Sequence, residues 1–315
     1  RQEWQKEGLR VIRPGGSTKW RVLLDGMDEV WGVPRADAVL AQAPDVLGAL
    51  AWLYTRLRGG KLLLQDHSGI AARPAFGWRE RVWRPFAKQL LCAADGVRTV
   101  SERGARGLRT WGVASDRVLV LPVLRNLEPF LALQRAPQDP PVLACIARLE
   151  PEKGVDVLLR AFSMLKPSPM ILEIAGTGSQ RATLQRLAKI LGIHDRVRWL
   201  GALDTQGILA LLTRASVYVQ PSRFEGWGMA LVEAAAAGLP IVSTDVGCVG
   251  EVLHHEASAL VVSPGDAKVL ATQLERVCFD GELRQRLGIA AKHAVQQQIS
   301  SHNTTQRLRE WLTRG

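Results

Sequence analysis

"PVLACIARLEPEKGVDVLLRAFSML", residues 141 to 165, decides the fold. Residues 141 to 149 form a largely apolar run, the pattern of a strand buried on both faces. Residues 154 to 165 then repeat apolar side chains at i, i+3 and i+4, the pattern of a helix packed along one face. The alternation continues. "MILEIAG" (170 to 176), "VRWLG" (197 to 201), "SVYVQPS" (216 to 222) and "PIVSTD" (240 to 245) read as strands. "SQRATLQRLAKILG" (179 to 192), "DTQGILALLTRA" (204 to 215) and "GMALVEAAAAG" (228 to 238) read as the helices between them. Strands separated by helices of this length are βαβ units, which build parallel sheets.

Upstream, "GLRVIRP" (8 to 14), "KLLLQDH" (61 to 67), "GVRTVS" (96 to 101) and "RVLVLP" (117 to 122) are short apolar runs, with helical segments at 45 to 57 and 79 to 93. The proline-rich "LQRAPQDPP" (133 to 141) reads as a linker between two doubly wound domains. A chain of 315 residues has the length for about two domains. It contains no apolar run of the ~18 residues that suggest a membrane span. The opening "RQEWQKEGLR" begins on Arg1 and lacks the apolar core of a signal peptide, which points to a fragment or a processed product. Cys92, Cys145, Cys248 and Cys278 show no metal-ligand spacing and read as packed thiols of a cytosolic protein. Residues 1 to 135 hold 22 Lys/Arg against 13 Asp/Glu, and residues 136 to 315 hold 19 against 17. The first half is therefore expected to face something anionic.

Ligands of doubly wound sheets lie outside the carboxyl ends of the strands. Here those ends carry Arg148 and Lys153 in "ARLEPEKG", Gly176 and Gly178 in "GTG", then "PSRFEGWG" and "TDVGCVGE". Singly, each has an ordinary reading: surface cations, a packing glycine pair, a loop acid near a helix start. Together they suggest diphosphate binding. Arg148 offers a planar fork and Lys153 a point charge to phosphate oxygens. A helix starting near Gly228 aims its positive end and free N–H groups at the same edge, and Gly226 and Gly228 let the backbone approach an oxygen closely. No Asp-x-Asp or His cluster is placed to hold a cation, so no metal site is expected.

"ARLEPEKGVDVLLRAF", "IAGTGS", "VRWLG" and "PSRFEGWGMALVEAAAAGLPIVSTDVG" resemble the nucleotide-sugar domain of retaining family 4 glycosyltransferases of the GT-B fold, over about residues 138 to 295. Glu225 and Glu233 match that family's E-x7-E signature. "LLLQDHSG" and "AADGVRTVSERGARGLRTWGV" resemble parts of its acceptor domain. The resemblance implies an α/β protein of two doubly wound Rossmann-like domains facing across a cleft. The acceptor-side domain would span 1–136, the nucleotide-sugar domain 137–296, and a helix over 297–315 would cross back. It also implies transfer of a sugar, with retention, from a nucleotide diphosphate sugar to an acceptor hydroxyl on a glycan or lipid-linked molecule. Cell-surface polysaccharide or glycolipid synthesis would be the setting, with no cofactor and no metal. Arg148 and Lys153 would bind the diphosphate and Glu233 the ribose. Glu225 would meet the donor sugar, with the backbone of Gly228, Met229 and Ala230 nearby, and His67 would reach that sugar from the other domain.

Some features depart from the family. Its usual first strand and glycine-rich loop are missing before "EGLRVIRP", Cys248 replaces a glycine, and "LPVLRNLEPF" lacks the Asn-Gly-Val-Asp run, which leaves Asn126 without a role. The alternative reading is a catalytically inactive GT-B-like binding or scaffold protein. A dinucleotide oxidoreductase is disfavoured, because "GTG" is not G-x-G-x-x-G and no acid ends "VRWLG". Finally, "RPAFGWRERVWRPFAKQLL" (73 to 91) interleaves Arg73, Arg79, Arg81, Arg84 and Lys88 with Phe76, Trp78, Trp83 and Phe86. That mixture suits an anionic membrane surface, hence a cytoplasmic protein that sits peripherally on the inner face of the membrane. A solvated helix with one buried face is the competing reading, and Pro85 is expected to interrupt the helix. No nucleic-acid reader motif accompanies the basic residues, so no nucleic acid is expected.

Overall fold

The computed structural model describes residues 2–6, 9–13, 35–73, 75, 77–123, 125–165, 169–301 and 304–313. The chain divides into two compact units, Arg1–Pro122 with Thr305–Gly315, and Val123–Thr304.

The first unit begins with an antiparallel pair, β1 (Gln2–Lys6) and β2 (Leu9–Arg13). It continues as β3 (Ala38–Ala41), α1 (Val46–Arg58), β4 (Lys61–Asp66), α2 (Trp78–Ala93), β5 (Gly96–Thr99), α3 (Glu102–Thr110) and β6 (Val118–Val120). The four strands β3 to β6 form a parallel sheet in sequence order. Asp45 caps α1 by accepting from the Leu47 and Gly48 amides, and Ser101 caps α3 through the Gly104 amide. Each cap satisfies donors that have no partner within the helix. Leu62 and Leu64 of β4, Val97 of β5, Ala87 and Leu91 of α2 and Leu108 of α3 make the core.

The expected break at Pro85 does not occur, since α2 runs unbroken through it. Proline removes the bond to the carbonyl of residue i−4. Pro85 and Arg81 are both exposed, so the carbonyl left over lies on the face that water reaches.

The second unit holds α4 (Glu128–Leu131), β7 (Val142–Ile146), α5 (Val155–Met164), β8 (Ile171–Ala175), α6 (Arg181–Ile190), β9 (Val197–Gly201), α7 (Thr205–Arg214), β10 (Val217–Gln220), α8 (Met229–Ala236), β11 (Ile241–Thr244), β12 (Leu260–Val262), α9 (Ala267–Phe279) and α10 (Gly281–Ser301). Its six strands are parallel in the order β12-β11-β10-β7-β8-β9, which is the doubly wound Rossmann order. The apolar faces read from 141 to 165 are buried as the periodicity requires. Leu143 and Cys145 of β7 pack with Leu158, Leu159 and Phe162 of α5. Residues 133–141 lie within this unit. Arg135 donates to the carbonyls of Gly238 and Ala215, both at 2.9 Å, and the Ala136 amide donates to Thr213 O.

The last helix, α11, spans Thr304–Thr313. Within the first unit Arg307 Nη2 donates to Val120 O at 3.2 Å, and Trp311 Nε1 lies where a Cβ on Gly96 would meet it at 3.0 Å. Among the described residues, no helix is long and apolar enough to cross a membrane, and no group of three His, Cys, Asp or Glu could hold a metal ion.

Candidate functional site

Strand order in the second sheet reverses between β7 and β10. At such a point the following connections leave in opposite directions, which opens a crevice beyond the strand ends. Two loops border it, 147–154 after β7 and 221–228 after β10. Arg223 joins them. Its guanidinium forms a two-pronged pair with Asp156, Nη1–Oδ1 at 2.8 Å and Nη2–Oδ2 at 2.7 Å, and Nη1 also donates to Pro151 O at 2.9 Å. The Arg223 amide donates to Glu152 O at 2.8 Å. Sequence reading does not single out Arg223, because its partners lie about 70 residues upstream.

Glu225 sits at the centre of the second loop. Lys153 Nζ lies 2.8 Å from both of its carboxylate oxygens. Gln220 Nε2 and Ser222 Oγ each donate to Oε1, also at 2.8 Å. Tyr218 OH in turn donates to Gln220 Oε1 at 2.7 Å, fixing the orientation of that amide. The side chains of Lys153 and Glu225 are only 14% and 11% exposed, so the pair is poorly screened by water. Glu225 therefore does not cap α8. The cap position is Gly228, in the left-handed conformation at φ 87°, and it supplies no side-chain bond. A residue with a Cβ is strained in that conformation, and without a capping side chain the first-turn amides at Met229 and Ala230 keep their donor capacity.

Arg148 lies on the same loop as Lys153 but is 69% exposed, with Nη2 2.9 Å from Glu152 Oε1. An exposed i,i+4 pair of this kind holds weakly, and the guanidinium can turn to an incoming anion. Gly176 and Gly178 have a packing reason to be glycine. A Cβ on Gly176 would lie 1.9 Å from Ala147 O, and one on Gly178 would lie 2.4 Å from Leu149 O. They let the loop after β8 lie against the loop after β7. Glu150 ties the two together by accepting from Ser179 N at 2.9 Å and Ser179 Oγ at 2.7 Å, and those bonds hold its carboxyl below the usual range. Cys248 is buried, its amide donates to Trp227 O at 2.9 Å, and burial pushes its thiol up to about 12.

Glu233 projects from the second turn of α8 and is 2% exposed. Burial raises its carboxyl above the usual value, against the pull of Arg125, whose Nη1 is 2.5 Å from Oε1. Arg125 comes from the loop before α4 and was not legible in the sequence, where "LPVLRNLEPF" shows only a missing run.

In the first unit, His67 follows β4 directly and is exposed. Partial burial and the positive charge of Arg98 lower its pKa, with Asp66 opposing, so the imidazole is neutral near pH 7. Arg98 is buried and donates to Gln65 Oε1 at 2.7 Å and to the Leu121 and Pro122 carbonyls. Asp66 is buried as well. Its Oδ1 accepts from Ser68 Oγ at 2.9 Å and Ile70 N at 3.2 Å, and burial still raises its pKa.

Comparison with known proteins agrees with this architecture. Residues 131–294 match the family model described as glycosyl transferases group 1, and residues 1–123 match that described as glycosyl transferase 4-like domain. The chain is 36% identical over 299 residues to the glycogen synthase of Mycobacterium tuberculosis, covering 92% of this chain and 68% of that protein. It is 30% identical over 255 residues to alpha-D-kanosaminyltransferase of Streptomyces kanamyceticus, covering 75% of this chain and 66% of that protein. Among solved structures, sucrose-phosphate synthase from Thermosynechococcus elongatus superposes with a TM-score of 0.83 at 22% identity, covering 99% of this chain and 86% of that one. Anabaena HepE in complex with UDP-glucose superposes with a TM-score of 0.79 at 18% identity, covering 94% and 82%. The two parallel sheets, the family models over both units and the glycogen synthase relative together place this chain among the family 4 glycosyltransferases of the GT-B fold.

Proposed function

We propose that this glycosyltransferase moves a sugar from a nucleotide diphosphate sugar to an acceptor hydroxyl, with retention at the anomeric carbon and without a metal ion. The observation that carries the reading is the Lys153–Glu225 pair at the reversal of strand order, beside an α8 N-terminus with no side-chain cap. The ammonium, the exposed Arg148 fork and the first-turn amides can together take up the charge of a departing diphosphate. Glu233 is a buried carboxylate able to accept from ribose hydroxyls. Glu225, held by Lys153, Gln220 and Ser222, is fixed in orientation and suited to position a sugar hydroxyl. Gly176 and Gly178 contribute backbone only. On this reading the bond from the anomeric carbon to the phosphate oxygen breaks as the acceptor oxygen bonds on the same face. The acceptor proton passes to the released diphosphate.

The acceptor in this reading is a glycan or lipid-linked hydroxyl used in cell-surface polysaccharide or glycolipid synthesis, handled at the cytoplasmic face of a membrane. Support for the membrane comes from α2, where Trp78, Val82 and Phe86 stand at i, i+4 and i+8 and are 71%, 62% and 54% exposed. Arg81 and Lys88 are exposed on the same helix. Arg73 and Arg84 belong to the fold instead. Arg73 pairs with Glu80, and Arg84 donates to Arg73 O and lies over Trp111. An apolar ridge flanked by cations is the chemistry of an interfacial helix.

Thermal shift with UDP-, GDP- and ADP-sugars in EDTA, followed by turnover with the stabilising donor, tests the reading. A donor that both raises the melting temperature and is consumed supports it. Stabilisation that appears only with a divalent cation present refutes the metal-free mechanism.

A further inference from the structure

Glu233 poses a problem the proposed function leaves open. Its neighbours along α8 are apolar and buried: Leu231, Val232, Ala234, Ala235 and Ala236. A lone carboxylate in such surroundings takes up a proton rather than remain charged. A protonated acid is a poorer acceptor for a pair of hydroxyls than an anion. Something must hold the charge.

The groups facing α8 can be taken element by element. On β10, Tyr218 is an uncharged phenol whose pKa burial raises further. On the loop before α8, Glu225 is already paired with Lys153. On α10, Lys292 donates to the carbonyl of Leu131. Near the C-terminal end of α8, Arg135 donates to Gly238 O and Ala215 O. On α4, Glu128 is exposed. Along β11 the described residues Ile241–Thr244 carry no charge. Among the described residues this leaves Arg125, at 2.5 Å from Oε1. Its guanidinium carbon also lies 5.6 Å from the ring centroid of Phe130, a fully buried residue of α4. The arginine is thus held by an anion at one side and a ring at the other, while its side chain keeps contact with water.

We propose that Arg125 is a positioning residue of the donor site: it is the counter-ion that keeps Glu233 ionised and fixes the carboxylate for a ligand's paired hydroxyls. The ligand half of this statement rests on the donor reading above; the counter-ion half does not.

Two measurements separate the halves. The first needs no ligand. Thermal unfolding at pH 7 is compared for wild type, Arg125→Leu, Glu233→Gln and the double variant. The expected result is that Arg125→Leu lowers the melting temperature in the wild-type background and lowers it much less in the Glu233→Gln background, where no charge needs a partner. An equal loss in both backgrounds overturns the counter-ion role. The second is the affinity for UDP, GDP or ADP, whichever binds wild type most tightly, at pH 6 and pH 8. It is expressed as the ratio of variant to wild-type Kd, so that titration of the ligand phosphate cancels. Arg125→Leu is expected to lose about tenfold at pH 6 and less at pH 8, because without its counter-ion Glu233 holds its proton to higher pH and the charged acceptor is lost first at the lower pH. Arg125→Lys keeps the charge and is expected to stay within about twofold of wild type at both pH values. The same loss at pH 6 and pH 8, or no loss at either, overturns the positioning role. If none of the three nucleotides binds wild type, the donor reading fails, and the unfolding comparison still decides whether Arg125 is the counter-ion of Glu233.

Discussion

Replacing Lys153 with Met tests the network at the reversal of strand order most sharply. The substitution keeps most of the length of the side chain and removes its charge. It leaves the Glu225 carboxylate with Gln220 and Ser222 as donors, in a place where only 11% of the side chain meets water. Removing one partner of a buried ion pair costs about 3 to 5 kcal/mol. The lower end applies at the rim of a crevice, so the expected loss is about 3 kcal/mol. For a unit of this size each kcal/mol moves the melting temperature by about 2 to 4 °C, so a fall of about 6 to 12 °C is expected. Glu225→Gln removes a charge-assisted contact from the same pair and should lower stability by about 2 kcal/mol. The double variant should lose less than the sum, with a coupling of at least about 1.5 kcal/mol. Calorimetric unfolding of the four proteins is the assay. Additive losses, or a Lys153→Met protein that melts within 1 to 2 °C of wild type on the same ~2 to 4 °C scale, would refute the claim that Lys153 and Glu225 act as one unit.

Arg148→Ala, in contrast, should leave the melting temperature unchanged, because the side chain is largely exposed, yet weaken nucleoside diphosphate binding by about ten- to a hundredfold; unchanged affinity counts against it as a phosphate ligand. Asp66→Asn should gain stability relative to wild type as pH rises from 4 to 7. The buried acid holds a raised pKa in the folded state, so wild type loses stability as pH climbs from the ordinary Asp value through the raised one, and Asn has no proton to lose. A difference in melting temperature that is the same at both pH values contradicts this. The protein should sediment with vesicles of anionic lipid, less so as salt rises, and changing Val82 and Phe86 to Ser should abolish it. Equal sedimentation with neutral vesicles would rule out the charge-assisted ridge.

Much of the second unit was legible because its strands and helices differ in period. The run 141–149 became β7 (Val142–Ile146), and 154–165 became α5 (Val155–Met164), each losing only its terminal residues to loop. "GMALVEAAAAG" became α8 between its two glycines. Period is a local property, and so is a strand end, which is why the neighbourhood of Lys153 and Glu225 could be named in advance. The pair itself could not. Gln220, Ser222, Arg223 and Arg125 acquire their roles from partners distant in sequence or across a loop, and no spacing encodes that. Pro85 shows the opposite case: the local rule that proline breaks a helix does not hold where exposure removes the reason for it. "GLRVIRP" shows only as a short apolar run, and Leu9–Arg13 within it pairs antiparallel with Gln2–Lys6, outside the parallel sheet, because periodicity gives no information on the partner of a strand. "GTG" had two readings, and the contacts of Gly176 and Gly178 with the loop after β7 supply a full structural reason for both glycines.

The most direct test of the account is a calorimetric titration, in EDTA, of the stabilising nucleoside diphosphate into wild type, Glu225→Gln and Glu233→Gln. The account predicts that wild type binds without metal. It predicts that Glu233→Gln binds about tenfold more weakly, having lost the charged acceptor for ribose. Glu225→Gln should bind as well as wild type or more tightly, because the free nucleotide has no sugar to hold and the Lys153 ammonium is released toward the phosphates. A wild type that binds only when a divalent cation is restored, or equal losses in the two variants, would contradict it.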